Sequence, residues 1–447
     1  MPARLISWRA TAGMDFHIIA TLVYRIWTVL AGAITLILLP HWLGPALQGY
    51  YYTFASLLAV QIFFELGFNQ IIVQLVSHEC AHLTIHQDGT LSGNGCRLER
   101  LASLVQLIMR WYAVAATLFL VVTGGVGLFF FQHKGGMPPQ VWRYQWMLLV
   151  CTTAGNLFFS PFLAALEGTG QVGQIAKLRF VQSVAGCLLL WMLLYSGAGL
   201  WASTATSASG LICTSWWIAR YGRSLRQVAN LPVSPAFRMR WREDIFPFQW
   251  RMALSWVSGY FIFNLFTPLT FSRVGAAEAG RLGLALTMFS AVSTVGMSWV
   301  NAKVPLLGML ISRGERKELN ARFRGLMLMS CAATTAISMF VILGVKLLMD
   351  LGIPLVTRVA SMPVLICLAW NTVVNVAVFC MATYMRAHRE EPMLPVSIVT
   401  AVLTAAAALF GIGGGVFLVM LLSTLVTTAV TLPWTVKLFH VYHARAA

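Results

Sequence analysis

Three groups of residues in this sequence have types and spacings that could do chemistry. His78-Glu79-Cys80-Ala81-His82 reads H-E-x-x-H, with His86 four residues on and Cys96 nearby. On a helix that spacing turns two imidazoles to one face for Zn²⁺, with the glutamate as the base of a metalloprotease. No distant carboxylate motif supplies a third ligand, and Asp88-Gly89 reads as a hairpin turn, so the segment is expected to be solvated surface. The second group is charge inside long apolar stretches: Arg25, Glu65, Arg251 and Lys303. Ionisable groups placed there face a cavity or a partner, because lipid cannot solvate them. The third group is uncharged and polar, set at helical spacing around those charges. Thr21, Arg25, Thr28, Gly32 and Thr35 share one face, as do Gln61, Glu65 and Asn69 at i, i+4, i+8. Arg251, Ser255 and Ser258 form a third stripe, and Ser290, Thr294, Ser298 and Asn301 a fourth. Such stripes fit a shared water-filled cavity in which Arg25 and Glu65 could neutralise each other. Lys303 lies about 200° round its helix from Asn301, which also fits snorkelling to the headgroups.

The elements that must carry these stripes are membrane helices. Of 447 residues, 58% are hydrophobic and 10% charged, and mean hydropathy is +0.76. A soluble domain carries about 25% charged residues, and the apolar runs here reach the ~20 residues that span a bilayer as helix. The fold class expected is an all-α polytopic membrane protein with about twelve transmembrane helices. The first apolar segment is too long for a signal-peptide core and is expected to be retained. The net charge of +17 does not form a nucleic-acid patch. Lys and Arg fall 23 to one side of the expected spans and 5 to the other, which places both termini in the cytosol. Of the eight cysteines, six lie singly in apolar segments and offer no disulfide framework.

The spans divide at mid-chain. Gly44 and Gly49 recur as Gly275 and Gly280, each pair in a short break between long apolar segments. A repeat at that spacing predicts two related six-helix lobes, residues 1–220 and 247–447, joined by a basic cytosolic connector at 221–246. The connector's arginines could rest on anionic headgroups. No outward loop is long enough for a catalytic domain, and no enzyme activity or cofactor is expected.

With these features in place, the sequence resembles the oligosaccharide or polysaccharide flippase family of the multidrug/oligosaccharidyl-lipid/polysaccharide superfamily. The resemblance is carried by W-L-G-P-A-L-Q-G-Y from Trp42, E-L-G-F-N-Q from Glu65 and L-E-G-T-G-Q from Leu166, and more loosely by V-G-A-A-E-A-G-R from Val274 and Y-M-R-A-H-R-E-E-P from Tyr384. It implies a central cavity lined by the first, second, seventh and eighth helices. It also implies transport of a polyprenyl-pyrophosphate-linked oligosaccharide across the bacterial inner membrane by alternating access, for surface polysaccharide synthesis. Arg25 and Arg251 would meet the pyrophosphate, since arginine pairs well with phosphate oxygens. Gln61, Asn69, Ser255 and Asn301 would meet sugar, with Glu65 and Lys303 as further cavity positions. The expected partners are the lipid-linked substrate, membrane lipids, polysaccharide polymerase or export proteins, and a coupling proton or sodium ion. The second half departs from strict symmetry, with Trp256 at the position of Arg25 and Gly296 at that of Glu65. Two other cargoes compete: drugs or cations, which would call for more carboxylates in the spans, and peptidoglycan lipid precursor, whose flippases have fourteen spans.

Overall fold

A computed structural model describes residues 27–81, 83–85, 91–93, 95–387 and 392–445. The described chain is helical almost throughout. Helices are what lipid demands of a spanning backbone, because each satisfies its own N–H and C=O groups. In chain order they are α1 (Trp27–Trp42), α2 (Pro45–Leu58), α3 (Ile62–Glu65), α4 (Phe68–Cys80), α5 (Gly95–Lys134), α6 (Pro139–Gly168), α7 (Val172–Tyr195), α8 (Ala205–Tyr221) and α9 (Arg223–Ala229). There follow α10 (Phe246–Phe263), α11 (Phe266–Arg273), α12 (Ala276–Arg313), α13 (Arg316–Asp350), α14 (Met362–Ala387), α15 (Leu394–Gly411), α16 (Gly415–Val426) and α17 (Leu432–Arg445).

Among the described residues seven helices are long and apolar enough to cross a membrane, or nine if each of two bent pairs is one span. Their outward faces confirm the solvent. Met339, Phe340, Leu343 and Leu347 stand exposed along α13, as Val114, Leu118, Val121 and Phe129 do along α5. Water-soluble monomers do not display apolar faces of this extent. The segment Leu394–His443 passes as one span of 50 residues, which a straight helix would stretch to about 75 Å. It is folded back instead. Gly415 has φ +86°, Gly411 packs against the backbone of Val419, and the hydroxyls of Thr400 and Thr431 meet at 2.8 Å.

Two pairs of apolar helices are bent at short breaks. After Glu65 both Leu66 (φ +49°) and Gly67 (φ +69°) are left-handed, and the chain bends by 42°. Between α10 and α11 the bend is 41°, at Asn264 and Leu265. Elsewhere the turns are tight. Gly314 (φ +70°) ends α12, and the amides of Gly314 and Glu315 close onto the carbonyls of Ile311 and Leu310, a Schellman-type stop that returns the chain as α13.

The described chain forms two compact units. The first takes the described residues up to Trp42, then Val60–His133 and Met137–Ala253. The second takes Leu43–Ala59, Lys134–Gly136 and Leu254 onward. The segment 221–246 lies wholly within the first of these units, and Leu43–Ala59 within the second. Within the second unit α2 crosses α12 with almost nothing between the backbones. A Cβ on Gly49 would fall on the Ala276 carbonyl, one on Gly280 would press on the Gly49 amide, and one on Gly283 would meet the Tyr52 side chain. The Gln48 side-chain amide donates to the Gly280 carbonyl at 2.9 Å and to the Arg358 carbonyl at 3.1 Å.

In the first unit the all-helix expectation has one exception. Leu83–Ile85 (β1) pairs antiparallel with Leu91–Gly93 (β2), Thr84 opposite Ser92, the hairpin that Asp88-Gly89 announced. The connector packs on this end of the unit. Gln227 brackets the Leu91 backbone, accepting from its N–H at 3.0 Å and donating to its carbonyl at 3.1 Å. Gln106 donates to the Ala229 and Leu231 carbonyls, Ser103 accepts from the Met239 amide, and Trp241 stacks on Trp111.

Gly49→Ala is expected to destabilise the protein by about 1–3 kcal/mol, as overpacking does. Gly44, with φ −63° and open space where a Cβ would go, should accept alanine with little change. Thermal unfolding of the two purified variants in detergent compares them directly; equal midpoints would refute the crossing as described.

Candidate functional site

In the H-E-x-x-H segment His78 and Ala81 are exposed, and among its described residues Glu79 alone is buried. Glu79, at the end of α4, is 4% exposed and is held by Arg97 at 3.0 Å and Arg100 at 3.6 Å, both from the start of α5. His78 points outward from the same turn, its ring nitrogen 3.9 Å from the carboxylate. His82 and His86 lie outside the described residues. Among the described residues no cluster of three His, Cys, Asp or Glu side chains could hold a metal. A carboxylate so paired fastens the end of α4 to the start of α5.

The second-span stripe is divided by the break at Leu66-Gly67, so Gln61, Glu65 and Asn69 do not continue along one helix. All three are half-buried in the first unit. The Gln61 amide donates to Glu65 Oε1 at 2.5 Å. Beyond the bend Asn69 donates to the Ser160 hydroxyl at 3.3 Å and accepts from the Tyr112 hydroxyl at 3.1 Å. Tyr112 is fully buried and stacked on Phe68. The break brings a carboxylate, two amides and two hydroxyls into one neighbourhood, drawn from the second span, α5 and α6. Tyr112 and Ser160 carried no sequence signal of their own, because a lone tyrosine or serine in a span is ordinary.

Arg25 lies outside the described residues. Arg251 is on α10 but its side chain lies outside what is described. Thr35, on the stripe expected for the first span, accepts from Trp191 Nε1 at 2.9 Å. Lys303 is exposed, and neither it nor the half-buried Ser255 lines the cavity described next.

That cavity, of about 610 Å³, lies wholly within the second unit. Ser290, Thr294 and Asn301, three members of the fourth stripe, line one side of it on α12. Tyr52 and Ser56 of α2 contribute, and the break after α10 presents Asn264. The largest contribution that the sequence reading overlooked is on α14, where Asn371 and Asn375 face the cavity one turn apart, the Asn375 amide donating to Asn371 Oδ1 at 3.1 Å. Two asparagines at i, i+4 in an apolar helix are the same signal that singled out Gln61 and Glu65. No Asp, Glu, Lys or Arg appears among the lining residues. Gly296, which stands where the first half has Glu65, is closed to any side chain, because a Cβ there would collide with the Thr334 hydroxyl of α13. The arrangement can exchange hydrogen bonds with an uncharged polar ligand.

No protein-family model matches the sequence, and no curated protein does. Solved structures do. An inward-facing multidrug-resistance transporter of the MATE family, of the MOP superfamily, superposes with a TM-score of 0.69 at 12% identity, over 95% of this chain and 96% of that one. The lipid II flippase MurJ in an inward closed conformation gives 0.62 at 12% identity, over 95% and 87%. A MATE protein in complex with MaD5 gives 0.57 at 14%, over 95% and 93%.

Replacing Glu79 with alanine leaves Arg97 and Arg100 without their common partner, and a loss of roughly 1–3 kcal/mol is expected for this partly exposed network. His78→Ala should be nearly silent. Limited proteolysis at the hairpin, with bound zinc measured by elemental analysis, reads both; zinc lost together with activity in the histidine variant would restore the metal reading. The chain has the all-α membrane fold shared by MATE and MurJ transporters.

Proposed function

We propose that this protein is a transporter that flips a polyprenyl-pyrophosphate-linked oligosaccharide from the cytosolic to the periplasmic leaflet of the bacterial inner membrane, by alternating access, in surface polysaccharide synthesis. The observation that carries this reading is the uncharged, amide-rich lining of the second-unit cavity. An exporter of cations needs carboxylates where its cargo sits, because a cation stripped of water requires a counter-charge. A glycan instead needs many neutral donors and acceptors, which asparagines and hydroxyls supply. The fold supports transport, being that of both a multidrug transporter and a lipid II flippase.

In this reading Arg25 and Arg251 receive the pyrophosphate near the cytosolic side, and Gln61, Asn69, Ser255 and Asn301 meet sugar. Lys303 stays near the headgroups. The neighbourhood of Glu65, Gln61 and Tyr112 is the place for a coupling proton or sodium ion, since Glu65 is the carboxylate of that spanning region. Twelve crossings in two lobes, 1–220 and 247–447, with both termini cytosolic, complete the proposal. Glu65 also gives a cation exporter of the same fold its one foothold.

Deleting the gene is expected to make lipid-linked oligosaccharide accumulate in the cytosolic leaflet and to deplete surface polysaccharide. Complementation with Arg25→Ala should restore only a small fraction of the polysaccharide, and Arg25→Lys more. Normal polysaccharide with altered sensitivity to cationic drugs would favour the exporter.

A further inference from the structure

The flippase reading leaves open which part of the cargo each unit meets. We propose that the second-unit cavity is a subsite for uncharged sugar residues, with Asn371 and Asn375 as its principal recognition pair; this rests on the flippase reading for how the sugar is delivered. The two amides are one turn apart on α14 and already joined by the 3.1 Å bond from Asn375 to Asn371 Oδ1. With that bond made, Asn371 keeps its amide hydrogens and Asn375 its carbonyl oxygen, a donor and an acceptor side by side. Neighbouring hydroxyls on a sugar ring present the complementary pair, since each can donate and accept.

The rest of the lining agrees. Asn264 and Asn301 add amides from other elements, so the donors converge from more than one direction. The Thr294 hydroxyl spends its hydrogen on the Ser290 carbonyl at 2.9 Å and offers lone pairs to the cavity. Tyr52 and Phe379 supply flat apolar surface for the carbon face of a sugar ring. The volume of about 610 Å³ falls within the roughly 300–1,000 Å³ of small-molecule sites and is far larger than an ion needs. Without a lining charge, a uronic acid or the pyrophosphate itself would leave water and find no counter-charge there. The subsite therefore selects neutral sugars and leaves the pyrophosphate to other residues.

The test uses the full chain in nanodiscs, as wild type and as Asn371→Leu, Asn375→Leu and Asn301→Ala. Binding is measured for three probes: polyprenyl pyrophosphate bearing a neutral hexose trisaccharide, the same lipid bearing a trisaccharide that ends in a uronic acid, and the bare lipid. Wild type is expected to prefer the neutral glycolipid over the bare lipid at least tenfold, and to hold the acidic one no better than the bare lipid. The α14 variants should lose that preference while binding bare lipid as before. Asn301→Ala, at an exposed position, provides a milder variant should the α14 leucines impair folding, and should reduce the preference about threefold. Equal loss for all three lipids, or a preference for the acidic glycan, overturns the subsite. If the three lipids bind alike and still cross vesicle bilayers, the subsite fails and the flippase reading stands. If no lipid binds but free neutral trisaccharide does, and the α14 variants abolish it, the flippase reading fails and the subsite stands. If no glycan binds in any form, both fail.

Discussion

Where α2 meets α12 the approach is made by backbone, not side chains. Gly49 of α2 and Gly280 of α12 let two spans meet where a single methyl group would hold them apart. Inside a bilayer, helices gain little from hiding apolar surface from one another, because lipid tails are as apolar as leucine. Close backbone packing and buried hydrogen bonds supply the attraction instead. The crossing has both, with the Gln48 amide donating into the α12 backbone and to the Arg358 carbonyl. The cavity depends on this contact, since Tyr52 and Ser56 reach its wall only because α2 is held against α12.

Charge is distributed by the same solvent logic. Buried ionic groups are kept where partners converge, as when two arginines of α5 close over Glu79 at the end of α4. The cavity lining holds amides and hydroxyls and no charge, and Gly296 is closed to any side chain by Thr334. Where the first half has a carboxylate, the second half has a helix contact. A cavity so lined offers many weak, directional hydrogen bonds and no charge.

Both bent helix pairs present polar residues at or beside their bends. Asn264 reaches the cavity because α10 stops there, and Asn69 turns toward Tyr112 and Ser160 because Leu66 and Gly67 are left-handed. Backbone freed by a helix break must find partners within the protein, so breaks and polar neighbourhoods coincide.

Much of this was legible in the residues themselves. Composition and the length of the apolar runs dictate helices in lipid, because no other open structure satisfies the backbone there, and polar residues at i, i+4 in those runs mark the faces that cannot meet lipid. Ser290, Thr294 and Asn301 were found in that way, and Asn371 and Asn375 bore the same mark. What spacing along one helix cannot express is which faces meet. Periodicity assumed an unbroken second span and joined Asn69 to Glu65, whereas two left-handed residues redirect the chain between them. It also placed Gly49 in a turn without showing that Gly280, 231 residues away, is what it turns against. Local pattern determines which residues must leave the lipid; only packing between distant segments decides what each of them then touches.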